Sequence, residues 1–331
     1  MKLVRIHGAG TGLVAGHANG EVVVDIARGL DELRQRERAL VETLEPYFPQ
    51  GGGSWLPLIE RWQEVHDHLR VLVDVVGSGQ HTPSAVQPLT AVRLDPPLPD
   101  PGVRIFALGG NFPLHVSGMD GGGAMELPES VRQGAAGGVP PWGFYVIPGT
   151  VVGQDAVVTP PPGTQKLDYE AEVGVVLGGG DHEPGSDRID VWGFTAWNDF
   201  SIRDAALGLS KTDHGPLTWS LTKNFRTGNS CGPFMVVDEP IPEDGLGIMC
   251  KVNGEVRQDG STSGMQYSFG ATAAHISEYA PLAGGDMILS GTPGGTAMEQ
   301  GLDGPYLKDG DLVEVLIEGA GTLRNRVELK G

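Results

Sequence analysis

Cysteine is scarce: Cys231 and Cys250 are the only two in 331 residues. They are too few for a disulfide framework and stand in no metal-ligand spacing. A disulfide-stapled secreted fold and a thiolate metal site are thereby excluded, and a reducing cytoplasm is the expected setting. Basic residues are also few, 23 Lys and Arg against 42 Asp and Glu, for a formal net charge of −19. Such a chain lacks the basic face that a nucleic acid or an anionic membrane requires. The acidity does not make the substrate cationic, because a bound metal inverts the field seen locally. No apolar run is long enough to cross a bilayer. The opening Met1-Lys2-Leu3-Val4-Arg5-Ile6-His7 reads as a short strand, not as the apolar core of a secretion signal. There is no internal repeat.

The patterning divides the chain at about residue 101. Residues 1–101 form an expected N-terminal α/β domain plus linker, and residues 102–331 a catalytic domain. In the first part, residues 2–6 and 21–26 are strand-like, with Asn19-Gly20 as a hairpin turn. Helices are expected over 29–44, where Leu30, Leu33, Leu40 and Leu44 share a face, and over 56–76. Residues 78–102, ending in Pro96-Pro97-Leu98-Pro99-Asp100-Pro101, read as linker. In the second part, strands are expected over 103–108, 166–177, 191–197, 234–237, 248–252, 287–290, 312–317 and 322–328, with Asn253-Gly254 as a hairpin turn. Only two helices are expected there, one from Ser201 and one over 269–279. Strands outnumber helices and do not alternate with them, so the expectation is an α+β, β-rich roll and not a doubly wound sheet.

Three motifs are set aside. Gly8-Ala9-Gly10-Thr11-Gly12 follows a strand, but Leu13 stands where the third glycine of a dinucleotide loop belongs, and a strand comes next. Gly228-Asn229-Ser230-Cys231-Gly232 has the spacing of a nucleophile elbow, yet Pro233 and a strand follow where a helix is needed. Ser230 is therefore expected in a turn. Cys231 has nothing nearby in sequence to lower its pKa.

The stretch with chemical content is Lys166-Leu167-Asp168-Tyr169-Glu170-Ala171-Glu172-Val173-Gly174-Val175-Val176-Leu177. In a strand, Glu170 and Glu172 share one face about 6–7 Å apart, while Ala171, Val173 and Val175 face a core. Spacing alone leaves two readings open, a solvated strand end and a cation site. Asp199 ends the strand Trp192-Gly193-Phe194-Thr195-Ala196-Trp197-Asn198-Asp199 and is a candidate third oxygen ligand, or else the N-cap of a helix from Ser201. Three carboxylates with open positions suit a hard cation such as Mg²⁺. Arg203 and Asp204 are expected to pair locally.

These blocks resemble the fumarylacetoacetate hydrolase family. The similarity runs through Asp168-Tyr169-Glu170-Ala171-Glu172-Val173, Asn198-Asp199-Phe200-Ser201-Ile202-Arg203-Asp204, Lys223-Asn224-Phe225, Val252-Asn253-Gly254-Glu255-Val256, Ser290-Gly291-Thr292-Pro293-Gly294-Gly295 and Gly321-Thr322-Leu323-Arg324-Asn325-Arg326-Val327. The resemblance implies a mixed β-roll, Mg²⁺ or Mn²⁺ on Glu170, Glu172 and Asp199, and a homodimer. It also implies a small anionic 2-oxo acid as substrate, an acylpyruvate or a fumarylpyruvate-like compound. His115 matches the lid histidine that serves as base, Lys223 a lysine that holds substrate oxygens, and Thr292 a threonine near the substrate carboxylate. Phe112 and Arg226 join Thr292 as expected substrate contacts. The chain departs from the pattern at three places: Gly118 replaces the lid glutamate, Ala206 a glutamine, and Arg226 an acid. Glu126 or Glu129 is the expected substitute for the lid glutamate. The implied activity is metal-dependent cleavage of a C–C bond in a 2,4-dioxo acid. The alternatives are a decarboxylase or related lyase or isomerase acting on an oxaloacetate-like acid, and a non-catalytic binder of 2-oxo acids.

Overall fold

A computed structural model describes residues 1–331 apart from 18–19, 78–83, 99, 122–126, 211–214 and 331. The chain opens with strands β1 (Lys2–Ile6), β2 (Gly10–His17) and β3 (Gly20–Asp25). Helices α1 (Ile26–Leu33), α2 (Arg38–Leu44), α3 (Leu56–Glu60) and α4 (Trp62–Gly77) follow, then β4 (Val86–Pro88) and β5 (Leu94–Asp95). The helix expected over 29–44 is thus two helices. The break falls on Arg34-Gln35-Arg36-Glu37, four polar residues with no apolar anchor between Leu33 and Leu40. The helix expected over 56–76 is likewise divided, at Arg61, whose φ of −111° is not helical. Asn19 of the expected first turn lies outside the described residues.

The remaining strands are β6 (Ile105–Leu108), β7 (Gly143–Val146), β8 (Val151–Val152), β9 (Val157–Val158), β10 (Leu167–Asp168), β11 (Ala171–Leu177), β12 (Val191–Asp199) and β13 (Ser201–Ile202), then β14 (Asn229–Val237), β15 (Gly247–Val252), β16 (Glu255–Ser261), β17 (Met287–Leu289), β18 (Leu312–Ile317) and β19 (Gly321–Val327). Among them lie α5 (Pro113–Gly121), α6 (Glu129–Gln133), α7 (Pro216–Lys223) and α8 (Phe269–Ser277). Asn253 and Gly254, with φ of 53° and 83°, make the tight turn between β15 and β16, a conformation that asparagine and glycine tolerate.

A mixed sheet runs β4-β3-β2-β1-β14-β12-β11-β17-β6-β7, with β5 on β1 and β8 on β14, and a second runs β16-β15-β18-β19-β9. Residues on both sides of position 101 therefore share one sheet, joined where Lys2 and Leu3 pair with Val236 and Met235. The stretch expected as linker is woven into it through β4 and β5; residues 78–83 and Pro99 of that stretch lie outside the described residues. Trp192 of β12 meets Trp55 and Trp62 edge-on at 5.9 and 5.7 Å. Every residue of β11 is buried. Ala171, Val173 and Val175 sit in the core against the second sheet with Ile248, Val313 and Leu323, while Val176 joins the core on the other face. Covering both faces explains why the strand is almost wholly apolar.

Two local expectations are corrected. No helix starts at Ser201: β13 pairs with β10, and this long-range pairing overrides the local cap signal of Asp199. Ser230 is not in a turn but in β14, where it pairs with Asn198. Cys231 beside it is fully buried, which pushes its thiol up to about 12 and leaves it inert as a nucleophile.

Candidate metal centre

The stretch 166–177 is not one strand. It crosses from β10 to β11 at Tyr169-Glu170, and the crossing turns Glu170 to the end of β11. Asn198 anchors the turn by accepting the Glu170 N–H at 3.0 Å, while Asp199 donates its N–H to the Glu170 carbonyl at 3.0 Å. One carboxylate oxygen each from Glu170, Glu172 and Asp199 comes together, all within 4.8 Å of one another and all buried. The solvated reading of these acids is thereby excluded.

Two cations brace the cluster. The Lys223 ammonium donates to Glu170 Oε2 at 2.6 Å and to Asp199 Oδ2 at 2.7 Å. Arg203 donates Nε to Asp168 Oδ2 at 3.0 Å and Nη2 to Glu170 Oε1. This replaces the expected local pair with Asp204, whose carboxylate instead accepts the N–H groups of Gln165 and Lys166. Asp168 also accepts the N–H groups of Ala297 and Met298, at 2.8 and 3.0 Å. It ties the short 3₁₀ segment Ala297–Asp303 to the centre.

The balance is uneven. Among the described Lys and Arg residues, Arg203 and Lys223 pair with these carboxylates, two cations against Asp168, Glu170, Glu172 and Asp199. Burial alone would raise the Glu170 carboxyl, but Lys223 and Arg203 reverse this and hold it well below the usual range. Glu172 is driven well above that range by burial and by the charges of Asp199 and Glu170. Asp199 is also raised, by burial and by Glu170, against the pull of Lys223. Asp199 Oδ1 is buried with no hydrogen-bond partner among the described residues. An orphaned oxygen within an all-carboxylate set with surplus negative charge fits a hard divalent cation.

His115 and Lys223 line the same cavity as Glu170, Arg203 and Thr292. His115 is buried on α5, and its Nδ1 lies 2.7 Å from Glu299 Oε1. Glu299 was not among the expected partners. Glu129 instead binds Arg132 and Gln133 at the surface, and Glu126 lies outside the described residues. The departure at 118 now has a physical account: a Cβ there would stand 2.6 Å from Glu299 Oε2. A glycine leaves the space that the carboxylate needs. Glu299 is itself held by the N–H groups of Gly295 and Thr296 in a capping box.

The expected substrate contacts are dispersed. Thr292 lines the cavity, but its hydroxyl donates to the Ala171 carbonyl at 3.0 Å and accepts from Gln258 at 2.7 Å. Phe112 is buried in the core, outside the cavity lining. Arg226 is exposed and also outside it. Ala206 does line the cavity, packed beside the apolar group of Val116, Met119, Leu127 and Met298. Sequence reading also missed α7, which carries Lys223 and, one turn earlier, Trp219 on the same side.

Residues 104–328 match the family model described as fumarylacetoacetate (FAA) hydrolase C-terminal. The chain belongs to this family. The oxaloacetate tautomerase YisK of Bacillus subtilis is 33% identical over 244 residues, covering 72% of this chain and 74% of that protein. In fold, the chain is similar to fumarylacetoacetate hydrolase from Exiguobacterium antarcticum, with a TM-score of 0.67, 24% identity and 100% of each chain covered. It is also similar to 5-carboxymethyl-2-hydroxymuconate delta-isomerase from Mycobacterium smegmatis, with a TM-score of 0.64, 23% identity and 100% of each chain covered. The family thus holds hydrolases, isomerases and a tautomerase, and its members typically depend on a divalent metal. Among the described residues, no helix is long and apolar enough to cross a membrane.

Proposed function

We propose that the chain is a divalent-metal-dependent hydrolase that cleaves a C–C bond in a 2,4-dioxo acid. The observation that carries this reading is that His115, paired with Glu299, lines the same cavity as Lys223 and Glu170 of the acidic triad. Glu170, Glu172 and Asp199 would hold Mg²⁺ or Mn²⁺. When bound, the ion supplies Lewis acidity to the 2-oxo and carboxylate oxygens of the substrate.

The chain's own residues do the rest. The Glu299 carboxylate, already accepting two backbone N–H groups, accepts the Nδ1–H of His115. That fixes the tautomer and leaves the Nε2 lone pair free to take a proton. His115 removes that proton from a water as its oxygen bonds to the distal carbonyl carbon. The bond between C3 and C4 then breaks, and its electron pair passes to the three-carbon fragment. The imidazolium returns its proton to C3, so the products are a carboxylic acid and pyruvate. The Lys223 ammonium lies against Glu170 and Asp199, placed to offset negative charge on substrate oxygens. A homodimer working in a reducing cytoplasm completes the proposal.

A second reading is keto–enol tautomerisation or decarboxylation of a 2-oxo acid, supported by the 33% identity to a tautomerase. His115 would then move a proton at C3 without any water attack. Turnover of acetylpyruvate and of oxaloacetate, each with Mg²⁺ or Mn²⁺ and with EDTA, separates the readings. Metal-dependent release of pyruvate and acetate from acetylpyruvate supports hydrolysis. Turnover of oxaloacetate alone would replace it with the second reading. Tight metal binding with neither activity would leave a non-catalytic binder.

A further inference from the structure

We infer that the group carried beyond the 2-oxo acid head is uncharged and apolar, and that an aromatic ring fits it best; this inference rests on the reading proposed above. The cavity measures about 270 Å³. Away from its charged residues it is lined by Trp142, Phe144 and Trp219, with Met119, Leu127 and Met298. Trp142 and Trp219 tilt against each other at 5.6 Å and 41°, and Phe144 meets Trp219 edge-on at 5.0 Å and 75°. Such a cluster presents both ring faces and ring edges, the two surfaces an aromatic guest uses. Phe144 also lies 5.6 Å from the Lys223 ammonium, so the aromatic wall begins where the charged floor ends.

The same lining disfavours a second carboxylate. Arg203 and Lys223 are the only Lys or Arg residues among those described around the cavity, and carboxylates already engage both. Arg226 is turned out to solvent, and position 206 is an alanine. A charged tail would be desolvated against rings and thioethers, with no free Lys or Arg among the described lining residues to meet it. Dicarboxylic 2-oxo acids such as fumarylpyruvate and oxaloacetate therefore fit less well than an acylpyruvate whose acyl group is uncharged.

Binding of three unreactive or slowly turned-over 2-oxo acids to the Mg²⁺-loaded protein, followed by calorimetry, tests this without requiring hydrolysis. Pyruvate reports the head alone, 2-oxo-4-phenylbutanoate a neutral aromatic tail, and 2-oxoadipate a charged one. The phenyl compound should bind at least about tenfold tighter than 2-oxoadipate. Trp142→Ala, at a half-exposed position, should cut the preference for phenyl over pyruvate by about tenfold, and Trp142→Phe should keep most of it. Equal or tighter binding of 2-oxoadipate overturns the inference, as does an unchanged preference in Trp142→Ala. Pyruvate binding without a phenyl preference confines the failure to this inference. Absence of binding by all three removes the proposed function along with it.

Discussion

Arg203, Glu170 and Lys223 line the floor of the cavity and, with Asp168 and Asp199, form a chain of ion pairs in which each cation bridges two carboxylates. Along its wall, Trp142, Phe144 and Trp219 meet ring against ring. The floor is specified by direction and charge: its oxygens come from β11, β12 and the turn before β11, and the sheet register sets their separation. The wall is specified by shape, from a strand, a helix and loops that need only bring apolar volume to the same place. Chemistry that must be placed to fractions of an ångström rests on paired, buried strands, and selectivity rests on parts that can vary independently.

If the floor is a metal site and the wall is not part of it, losses should be steepest at the floor. Glu172→Gln should cost more in metal affinity and turnover than the roughly 100-fold that follows loss of a supporting partner. Its fold should persist without metal. A carboxyl raised in the folded state favours the protonated form, so its stability contribution is lost as pH rises above the ordinary carboxylate range. Metal-free Glu172→Gln should therefore be at least as stable as the parent at pH 7, and the difference should vanish near about pH 4. Stoichiometric metal with full turnover in this variant, by titration calorimetry and assay, would end the ligand assignment.

His115→Ala should lower hydrolysis by about 100-fold or more while the metal titration is unchanged, which separates the base from the ligands. Glu299→Ala should lower kcat by about 10- to 100-fold through a poorly oriented imidazole. Gly118→Glu in that background should recover part of the loss, whereas Gly118→Glu alone should be damaging, because two side chains then compete for one space. Recovery absent from the double variant would show that Glu299 acts only as a helix cap. The smallest effect is thermal. Mg²⁺ at about 100 times its dissociation constant should stabilise the protein by about 2.7 kcal/mol, seen as a melting shift of several degrees that EDTA reverses. Glu172→Gln should show no such shift.

The floor was legible because its residues come in contiguous blocks with a strand pattern. Asp168, Glu170 and Glu172 lie within five positions, and Asp199 ends a strand whose apolar run is plain. The partner of His115 was not legible. Glu299 is 184 residues away, and its local signal, Thr296 followed three residues later by glutamate, announces a helix cap and nothing more. The expected helix at Ser201 failed because the pairing of Ser201–Ile202 with Leu167–Asp168 is invisible in a local window. Helix α7 does carry a start signal, Gly215 followed by Pro216, but its short, mixed sequence masks the period that would confirm it. The aromatic wall could not be assembled at all without coordinates, because Trp142, Phe144 and Trp219 come from segments with no shared motif.

The pairing of Lys2 and Leu3 with β14 has a practical bearing on how the molecule can be cut. β14 stands shoulder to shoulder with β12, matching Asn229 to Asp199, so its alignment is part of what keeps that aspartate still. Excising the first hundred residues would leave β8 beside Asn229 and Ser230 but strip β14 of its neighbour at Met235 and Val236, baring amides that invite stacking with foreign strands. A trimmed enzyme would therefore need a replacement strand before it could be expected to stay in solution, let alone turn over.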